Sequence, residues 1–281
     1  MANERMREHW ATGAAGWVAH RQIFDAELAP FADPVIAAVE PGPGDRVLDV
    51  GCGTGAVLGL AVARGAGGVG VDISPAMVDA ARDLVPGATF VVADAQTDDL
   101  GAHGPFTAVV SRFGVMFFDD AEEAFANIRR ACAPGARLAF VCWRGIDENP
   151  MFTLGTTVLL DRLDPPADAL APGAPGPMAF ADPARPEGVL TRSGWSDVAV
   201  TPYDAVCGYG QDGTDGVEER LTVILSIAAG RTARAQLEPQ LGAEGWAALL
   251  DEVRAELRAH LVDGRVSFNG ATWLVTARNP G

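Results

Sequence analysis

The chain has 281 residues, of which 48% are hydrophobic and 21% are charged, the composition of a globular protein with a buried apolar core. Its 37 acidic residues outnumber its 21 basic residues, giving a formal net charge of −16 that disfavours nucleic acid and anionic membrane surfaces as partners. Every basic residue is Arg, so the chain has no Lys for a pyridoxal-phosphate Schiff base or for a P-loop.

The cysteines do not have the spacing of a redox or metal motif. Cys52, Cys132, Cys142 and Cys207 form no CxxC pair, so we expect neither disulfides nor a metal site. Residues 1–9 are polar and lack the apolar segment of a secretory signal, and no apolar run approaches the length of a membrane span. These features predict a cytoplasmic protein that acts on small molecules.

The first half of the chain alternates short apolar runs with helical periodicity. Residues 1–39 are predicted as helices that precede the sheet. Strands are predicted at Arg46–Val50, Gly68–Val71, Thr89–Val92, Phe106–Val110 and Ala136–Cys142, with helices at Ala56–Arg64, Pro75–Leu84 and Asp119–Cys132. Continuous apolar strands separated by helices indicate a parallel sheet that is covered on both faces.

After Trp143 the chain becomes rich in Pro and Gly. We predict helices at Met151–Leu163, Asp182–Gly194, Gly216–Gly230 and Ala243–Leu261, a loop at Pro165–Pro177, and strands at Ser196–Tyr203 and Ala271–Ala277. The fold class is therefore α/β: a Rossmann-like, mostly parallel sheet of seven strands, with helices on both faces and helical cap insertions.

The segment 47–55 reads VLDVGCGTG, a strand that runs into three glycines spaced GxGxG and then into a helix. Glycine is needed where the backbone turns sharply and a ligand approaches closely. Open α/β sheets bind ligands at the carboxyl ends of their strands, which is where this turn is predicted to lie. The pattern alone indicates a nucleotide-like cofactor.

Three carboxylates follow the first three predicted strands: Asp49, Asp72 and Asp94. Asp72 lies about 20 residues after Gly51, the spacing at which a carboxylate accepts hydrogen bonds from ribose hydroxyls. NAD-binding proteins share that spacing, but their glycine pattern is GxGxxG, and three carboxylates would repel a pyrophosphate. S-adenosylmethionine (SAM) has no phosphate and carries two cationic groups, so it fits better. An NAD-dependent reductase is a minor alternative.

Together with GVDIS at 70–74, VVADAQ at 91–96 and SRFGVMFF at 111–118, this segment resembles the class I SAM-dependent methyltransferases. The closest resemblance is to the branch of ubiquinone and menaquinone C-methyltransferases, and it is strong over residues 40–145. It implies SAM as the cofactor and S-adenosylhomocysteine as its product. It also implies a seventh strand that is antiparallel to the others and forms a hairpin with the sixth.

The resemblance further implies which residues contact SAM. Asp49, Gly51 and Gly53 would line its methionine end, and Ser111 and Arg112 would lie beneath the sulfonium. Asp72 would bind the ribose, Ile73 would pack on the adenine, and Asp94 and Ala95 would bind the adenine amino group. Cys52 and Met77 would complete the cofactor contacts. For Asp49 and Asp94, capping of the following turn is the structural alternative.

The predicted domains are a helical N-terminal lid at 1–39, a SAM-binding core at 40–145, substrate-cap insertions at 146–190 and 205–268, and the last strands of the core sheet at 191–204 and 269–281. Candidate wall residues of the substrate pocket are Trp17, Phe113, Met116 and Trp143, although aromatic residues at such spacing are also typical of a core.

Methyl transfer depends mainly on positioning, and a general base is needed only if the acceptor must lose a proton. His20 is the candidate base, with a surface histidine as the alternative. Arg112 and Arg144 could bind an acidic group of the substrate or form salt bridges.

We therefore predict SAM-dependent methylation of a small molecule that is aromatic, quinone-like or a secondary metabolite. Two alternatives keep the SAM site: an enzyme that promotes a cyclisation or rearrangement without methyl transfer, and a non-catalytic SAM-binding protein. A homodimer is left open.

Overall fold

The computed structural model describes residues 3–164, 173–211 and 213–281. Its strands are β1 (Arg46–Val50), β2 (Gly67–Asp72), β3 (Thr89–Val92), β4 (Phe106–Arg112), β5 (Cys132–Trp143), β6 (Ser196–Gly208) and β7 (Ser267–Arg278). They form one sheet in the order β3-β2-β1-β4-β5-β7-β6. The first five strands pair in parallel, and β7 pairs antiparallel with both β5 and β6. The seven predicted strands and the implied hairpin are confirmed.

The helices are α1 (Glu4–Ala19), α2 (Arg21–Leu28), α3 (Ala32–Val39), α4 (Ala56–Ala63), α5 (Pro75–Leu84), α6 (Ala121–Arg130), α7 (Thr156–Leu160), α8 (Ala184–Arg192), α9 (Val217–Ser226) and α10 (Ala228–Ala259). The start of α5 shows why local sequence predicts these ends well. The Ser74 hydroxyl accepts a hydrogen bond from the Met77 backbone N–H at 3.5 Å, and Pro75 occupies the first helical position.

Two predicted elements differ from the structure after β5. Instead of one helix over Met151–Leu163, a 3-10 turn at Pro150–Phe152 is separated from α7 by Gly155, whose φ of 77° interrupts the helix. The helix predicted at Gly216–Gly230 ends at Ser226, because the backbone of Ile227 is extended (φ −77°, ψ 164°) and α10 begins after it. The helix predicted from Ala243 is present as the second part of α10, which breaks at Gly242 (φ 68°). Part of the predicted loop, residues 165–172, lies outside the described residues.

β6 and β7 are longer than predicted, so residues 209–266 form the β6–β7 insertion. A buried cluster, the Glu27 cluster, joins this insertion to α2. The Tyr209 hydroxyl donates a hydrogen bond to the Glu27 carboxylate, and Arg220 Nη1 donates to the Tyr209 hydroxyl at 3.2 Å and lies 3.9 Å from Glu27 Oε1. Arg220 Nη2 donates to the Met151 carbonyl, and its guanidinium lies 5.1 Å from the centre of the Phe268 ring. All three side chains of the cluster are at most 2% exposed.

The four cysteines are buried and have free thiols. Burial raises the pKa of Cys132 and of Cys207 to about 12, and it also raises the pKa of Cys52 and of Cys142. Among the residues that the structure describes, no helix has the length and apolarity needed to cross a membrane.

Candidate functional site

The glycine turn lies at the carboxyl end of β1. The backbone N–H groups of Gly51 and Cys52 both donate to the Val71 carbonyl, at 2.9 and 3.0 Å, which ties the turn to β2. Gly51 has φ 65°, and a Cβ there would lie 2.6 Å from the Gly114 Cα, so a side chain is excluded. Gly53 also has positive φ, but a Cβ there would meet no atom within 4 Å. The backbone at Gly53 is therefore open to a ligand.

Asp72 lies beside this open backbone, at the end of β2. One carboxylate oxygen accepts a hydrogen bond from the Gly53 backbone N–H at 2.9 Å, and the other accepts from the Ser74 N–H at the same distance. Burial raises the pKa of Asp72, and the two backbone donors oppose that rise. The carboxylate thus orients the glycine turn and retains lone pairs for a further donor.

Asp49, near the end of β1, is more deeply buried, at 1% exposure. Its Oδ2 accepts a hydrogen bond from the Leu58 N–H in the first turn of α4, at 3.1 Å. Burial raises the pKa of Asp49 to about 7, although Arg112 acts in the opposite direction. A cation that reached this carboxylate would stabilise its charged form.

Asp94 follows β3 and already has side-chain partners. Its Oδ1 accepts hydrogen bonds from the Gln96 backbone N–H at 3.0 Å and from the side-chain amide of Asn3 at 2.8 Å. Arg7 Nη2 lies 3.7 Å from its Oδ2. Residues from the N-terminal helical region therefore cover the third carboxylate of the site.

Ser111 and Arg112 end β4 next to the glycine turn. The Ser111 hydroxyl donates to the Val50 carbonyl at 2.7 Å and accepts from the Gly114 N–H at 3.1 Å. Arg112 Nη1 donates to the Leu28 carbonyl at 3.2 Å, and its Nη2 lies 3.8 Å from Asp25 Oδ1. The ends of β1 and β4 are thereby joined, and Arg112 connects them to α2.

The comparisons with known proteins agree with this geometry. A family model described as a methyltransferase domain matches residues 48–140. Aklanonic acid methyltransferase DauC of Streptomyces sp. is 33% identical over 137 residues, 46% of this chain and 59% of that protein. Nocamycin O-methyltransferase of Saccharothrix syringae is 35% identical over 127 residues, 41% of this chain and 45% of that protein. The chain spans about half the length of the curated relatives it matches.

The family match covers residues 48–140, about a third of the chain, so this segment resembles a methyltransferase domain. The crystal structure of the YcgJ protein from Bacillus subtilis shows the same fold, with a TM-score of 0.54 and 18% identity over 89% of this chain and 98% of that one. The narrower likeness to the quinone-methylating branch stays a prediction, because neither DauC nor the nocamycin enzyme is named as a quinone methyltransferase.

The other cofactor candidates lie around the same edge of the sheet. Cys52, Met77 and Ala95 are buried, and Ile73 is partly exposed directly after Asp72. The structure thus brings the predicted cofactor residues together at the ends of β1 to β4. Their contacts with SAM stay predictions.

The aromatic candidates for the acceptor pocket pack on one another. Phe113 stacks on Trp143 at 4.1 Å with an interplanar angle of 5°, and Phe31 meets both rings edge to face. Phe113 has φ 66°, an uncommon backbone conformation for a residue with a side chain. Trp17 stacks on Phe24 at 4.0 Å, and Met116 is buried. In this structure these side chains are part of the core, next to the ends of β4 and β5.

The structure does not place His20 and Arg144 as expected. His20 is exposed at the junction of α1 and α2, where it ends one helix and precedes the next. Arg144 forms ion pairs with Glu148 and Asp204 and lies over the Trp273 ring. Arg144 therefore forms the salt bridges of its alternative, and His20 has the surface position of its alternative. A catalytic role for either residue stays a prediction.

Sequence reasoning missed Asn3 and Asp25. Asn3 contacts Asp94, which lies 91 positions later in the chain, and Asp25 contacts Arg112, which lies 87 positions later. Neither residue belongs to a recognisable motif. Helical periodicity on α2 would have placed Asp25 close to the buried positions Phe24 and Leu28, which was the available signal.

Proposed function

We propose that this protein transfers a methyl group from SAM to a small-molecule acceptor. The observation that carries the proposal is the Asp72 carboxylate, which binds the Gly53 backbone N–H beside the open face of the glycine turn. A carboxylate in this position can accept hydrogen bonds from ribose hydroxyls while the open backbone admits the rest of the ligand.

The charges of the site support a cationic cofactor. Asp49, Asp72 and Asp94 lie at neighbouring strand ends, and the chain has no Lys that could bind a phosphate there. Because burial raises the pKa of Asp49 to about 7, a cationic ligand would draw that group into its charged form. The residues present therefore fit SAM and do not fit a dinucleotide.

When bound, SAM supplies an activated methyl group on sulfur. The protein's own contribution would be to position the acceptor and exclude water. Ser111 holds the ends of β1 and β4 together, and Arg112 would place its positive charge beside the reaction site. The stacked rings of Phe113 and Trp143 are buried at the ends of β4 and β5 and would form the apolar wall beside the acceptor.

For the acceptor we favour an oxygen atom of a secondary metabolite. Two relatives carry the names aklanonic acid methyltransferase and nocamycin O-methyltransferase, and they are similar to 46% and 41% of this chain. A hydroxyl acceptor must lose its proton during methylation, so a nearby proton acceptor is needed.

We assign that role to Asp25 in place of His20. Its Oδ1 is buried and accepts no hydrogen bond from any residue that the structure describes. That oxygen lies 3.8 Å from Arg112 at the end of β4, and burial raises the pKa of Asp25. The acceptor oxygen would bond to the methyl carbon as the bond between that carbon and sulfur breaks, its proton would pass to Asp25, and S-adenosylhomocysteine would be the leaving group.

Two measurements test this function. Calorimetry should detect binding of SAM and S-adenosylhomocysteine, and a panel of hydroxylated and carboxylated aromatic polyketides should include a compound that causes release of S-adenosylhomocysteine. A compound that is rearranged without this release would support the cyclisation alternative. Failure to bind either cofactor form would refute the proposal.

The role of Asp25 is tested with the acceptor found in that panel. We expect Asp25→Asn to lower kcat by about a hundredfold or more, with SAM affinity unchanged, because the proton acceptor is lost. Asp33→Asn is the matched control, since Asp33 is an exposed carboxylate in the following helix α3. An unchanged kcat for Asp25→Asn would exclude Asp25 as the proton acceptor.

A further inference from the structure

Asn3 is a buried residue that connects two loops of the candidate site. Its side-chain amide donates to Asp94 Oδ1 at 2.8 Å, and its side-chain oxygen accepts from the Asp119 backbone N–H, also at 2.8 Å. Its own backbone N–H donates to Asp119 Oδ2 at 2.6 Å. Asn3 is 2% exposed, so these three hydrogen bonds are shielded from water. The start of α1 is thereby fastened to the segments that follow β3 and β4.

The Asn3 amide presents to Asp94 the same chemistry as an aromatic amino group. Both are planar N–H donors that suit a carboxylate acceptor. The resemblance to the class I SAM-dependent methyltransferases implies that Asp94 binds the adenine amino group of SAM. On that carboxylate, Oδ1 is shared by Asn3 and the Gln96 backbone N–H, and Arg7 lies close to Oδ2. An adenine amino group would have to compete with Asn3.

The first half of α1 has few buried apolar side chains. Met6 is its buried apolar residue, and Trp10 meets Phe117 edge to face with the ring centres 5.5 Å apart. The second half is held more firmly, because Trp17 stacks on Phe24 of α2 at 4.0 Å. A segment with few buried apolar contacts opens at low free-energy cost, so the polar contacts of Asn3 account for much of what holds the start of α1 in place.

We propose that Asn3 is an autoinhibitory latch, which occupies the donor position on Asp94 and holds α1 over the adenine site until SAM displaces it. This inference rests on the proposed function. The apparent affinity for SAM would be reduced by the fraction of molecules in which the latch is closed. Loss of the latch should therefore increase SAM affinity, whereas loss of an ordinary ligand contact would decrease it.

The test is calorimetric titration of the full chain with SAM and with S-adenosylhomocysteine. We expect Asn3→Ala to bind both roughly tenfold more tightly than the wild type, because a hydrogen bond to a charged group no longer competes. Asp119→Ala removes the carboxylate that accepts from the Asn3 backbone N–H and leaves the Asp119 backbone N–H and Asp94 in place, so it should shift affinity in the same direction by a smaller factor. Asn269→Ala, at an exposed position of β7, is the control and should leave affinity unchanged.

Hydrogen exchange of residues 3–19 in the absence of ligand provides a second measurement. Exchange should be faster in Asn3→Ala than in the wild type, because α1 has lost its anchor. If exchange becomes faster while SAM affinity stays equal or falls, Asn3 is a structural contact and the latch is refuted. If neither the wild type nor Asn3→Ala binds SAM or S-adenosylhomocysteine, the proposed function itself is wrong, and the latch with it.

Discussion

The carboxylates at the strand ends and the carboxylate of Glu27 are both buried, but they have different partners. Asp49 and Asp72 accept hydrogen bonds from backbone N–H groups, which satisfy part of each carboxylate and supply no full positive charge. Glu27 instead has the guanidinium of Arg220 and the hydroxyl of Tyr209 in direct reach. The strand ends therefore hold negative charge that a ligand can neutralise, whereas the Glu27 cluster is neutralised within the protein.

This difference predicts that removing a charged side chain has a different consequence in each of the two regions. At the strand ends the loss should appear in ligand affinity. In the Glu27 cluster it should appear in the free energy of unfolding, because removing one partner of a buried ion pair leaves the other charged and unpaired.

The largest effect is expected for Arg220→Met. It should reduce the free energy of unfolding by about 3–5 kcal/mol, because Glu27 would then be a buried, unpaired carboxylate. Urea denaturation measures this loss. Arg254→Met, in the same insertion, is the control: its partners Glu218 and Asp251 are exposed, so about 1 kcal/mol or less is expected.

A double-mutant cycle sharpens the same prediction. Combining Arg220→Met with Glu27→Leu should restore part of the lost stability, because no unpaired charge remains. Additive losses from the two changes would show that the pair contributes no coupling and that the contrast between the regions is wrong.

A smaller effect is expected for Asp72→Ala. It should weaken SAM binding by about 1.5–3 kcal/mol, the range for hydrogen bonds to a charged group, when measured by calorimetry. Asp79→Ala removes a carboxylate from the exposed face of α5 and serves as the control. Equal affinities for wild type and Asp72→Ala would mean that the ribose lies elsewhere.

Lowering the pH by one unit should change SAM affinity by less than the Asp72→Ala substitution does. Asp49 is protonated below about pH 7 in the free protein and must ionise to pair with a cation, so affinity should fall roughly tenfold for each unit below pH 7. Above that pH it should become constant. Calorimetry from pH 5.5 to 8.5 tests this, and Asp49→Asn should remove the Asp49-dependent part of the slope.

The stability of the free protein should change with pH in the opposite direction. Between about pH 4 and 7 the unfolded chain has lost the Asp49 proton that the folded chain retains, so this group makes folding less favourable as pH rises. The pKa values of Asp25, Glu27 and Asp72 are also raised, and their contributions have the same sign. Asp45, Glu148 and Glu218 have lowered pKa values and contribute with the opposite sign, so the Asp49 contribution is the difference in stability between the wild type and Asp49→Asn. A difference that did not change with pH through this window would contradict the raised pKa of Asp49.

Much of the fold was predictable because its signals are local. An apolar run that ends in Gly or Asp predicts a strand and its end, as at Val50 and Asp72, and Ser74 followed by Pro75 predicts the start of a helix. The single helix predicted at Met151–Leu163 was wrong. Its apolar residues are compatible with a helix, but the backbone of Gly155 interrupts it.

The glycine turn and its three carboxylates were also predictable, because each follows its own strand and parallel strands end at one edge of the sheet. The partners from the N-terminal helices were not. Asn3 and Asp25 lie at the site only because α1 and α2 pack across the strand ends. The spacing of residues along the chain does not predict that packing. His20 was a candidate because it lies in the N-terminal helical region expected to cover the pocket, and the sequence could not decide between that position and the surface position that the structure shows.

The burial of the four cysteines determines how the protein will behave toward thiol reagents. A thiol with a pKa of about 12 forms thiolate on the order of a thousandfold less often at pH 8 than an ordinary cysteine, and burial blocks the reagent as well. Alkylation should therefore proceed only through opening of the structure. Cys52 lies within the glycine turn, so its labelling rate would report local opening of that turn separately from unfolding of the whole chain.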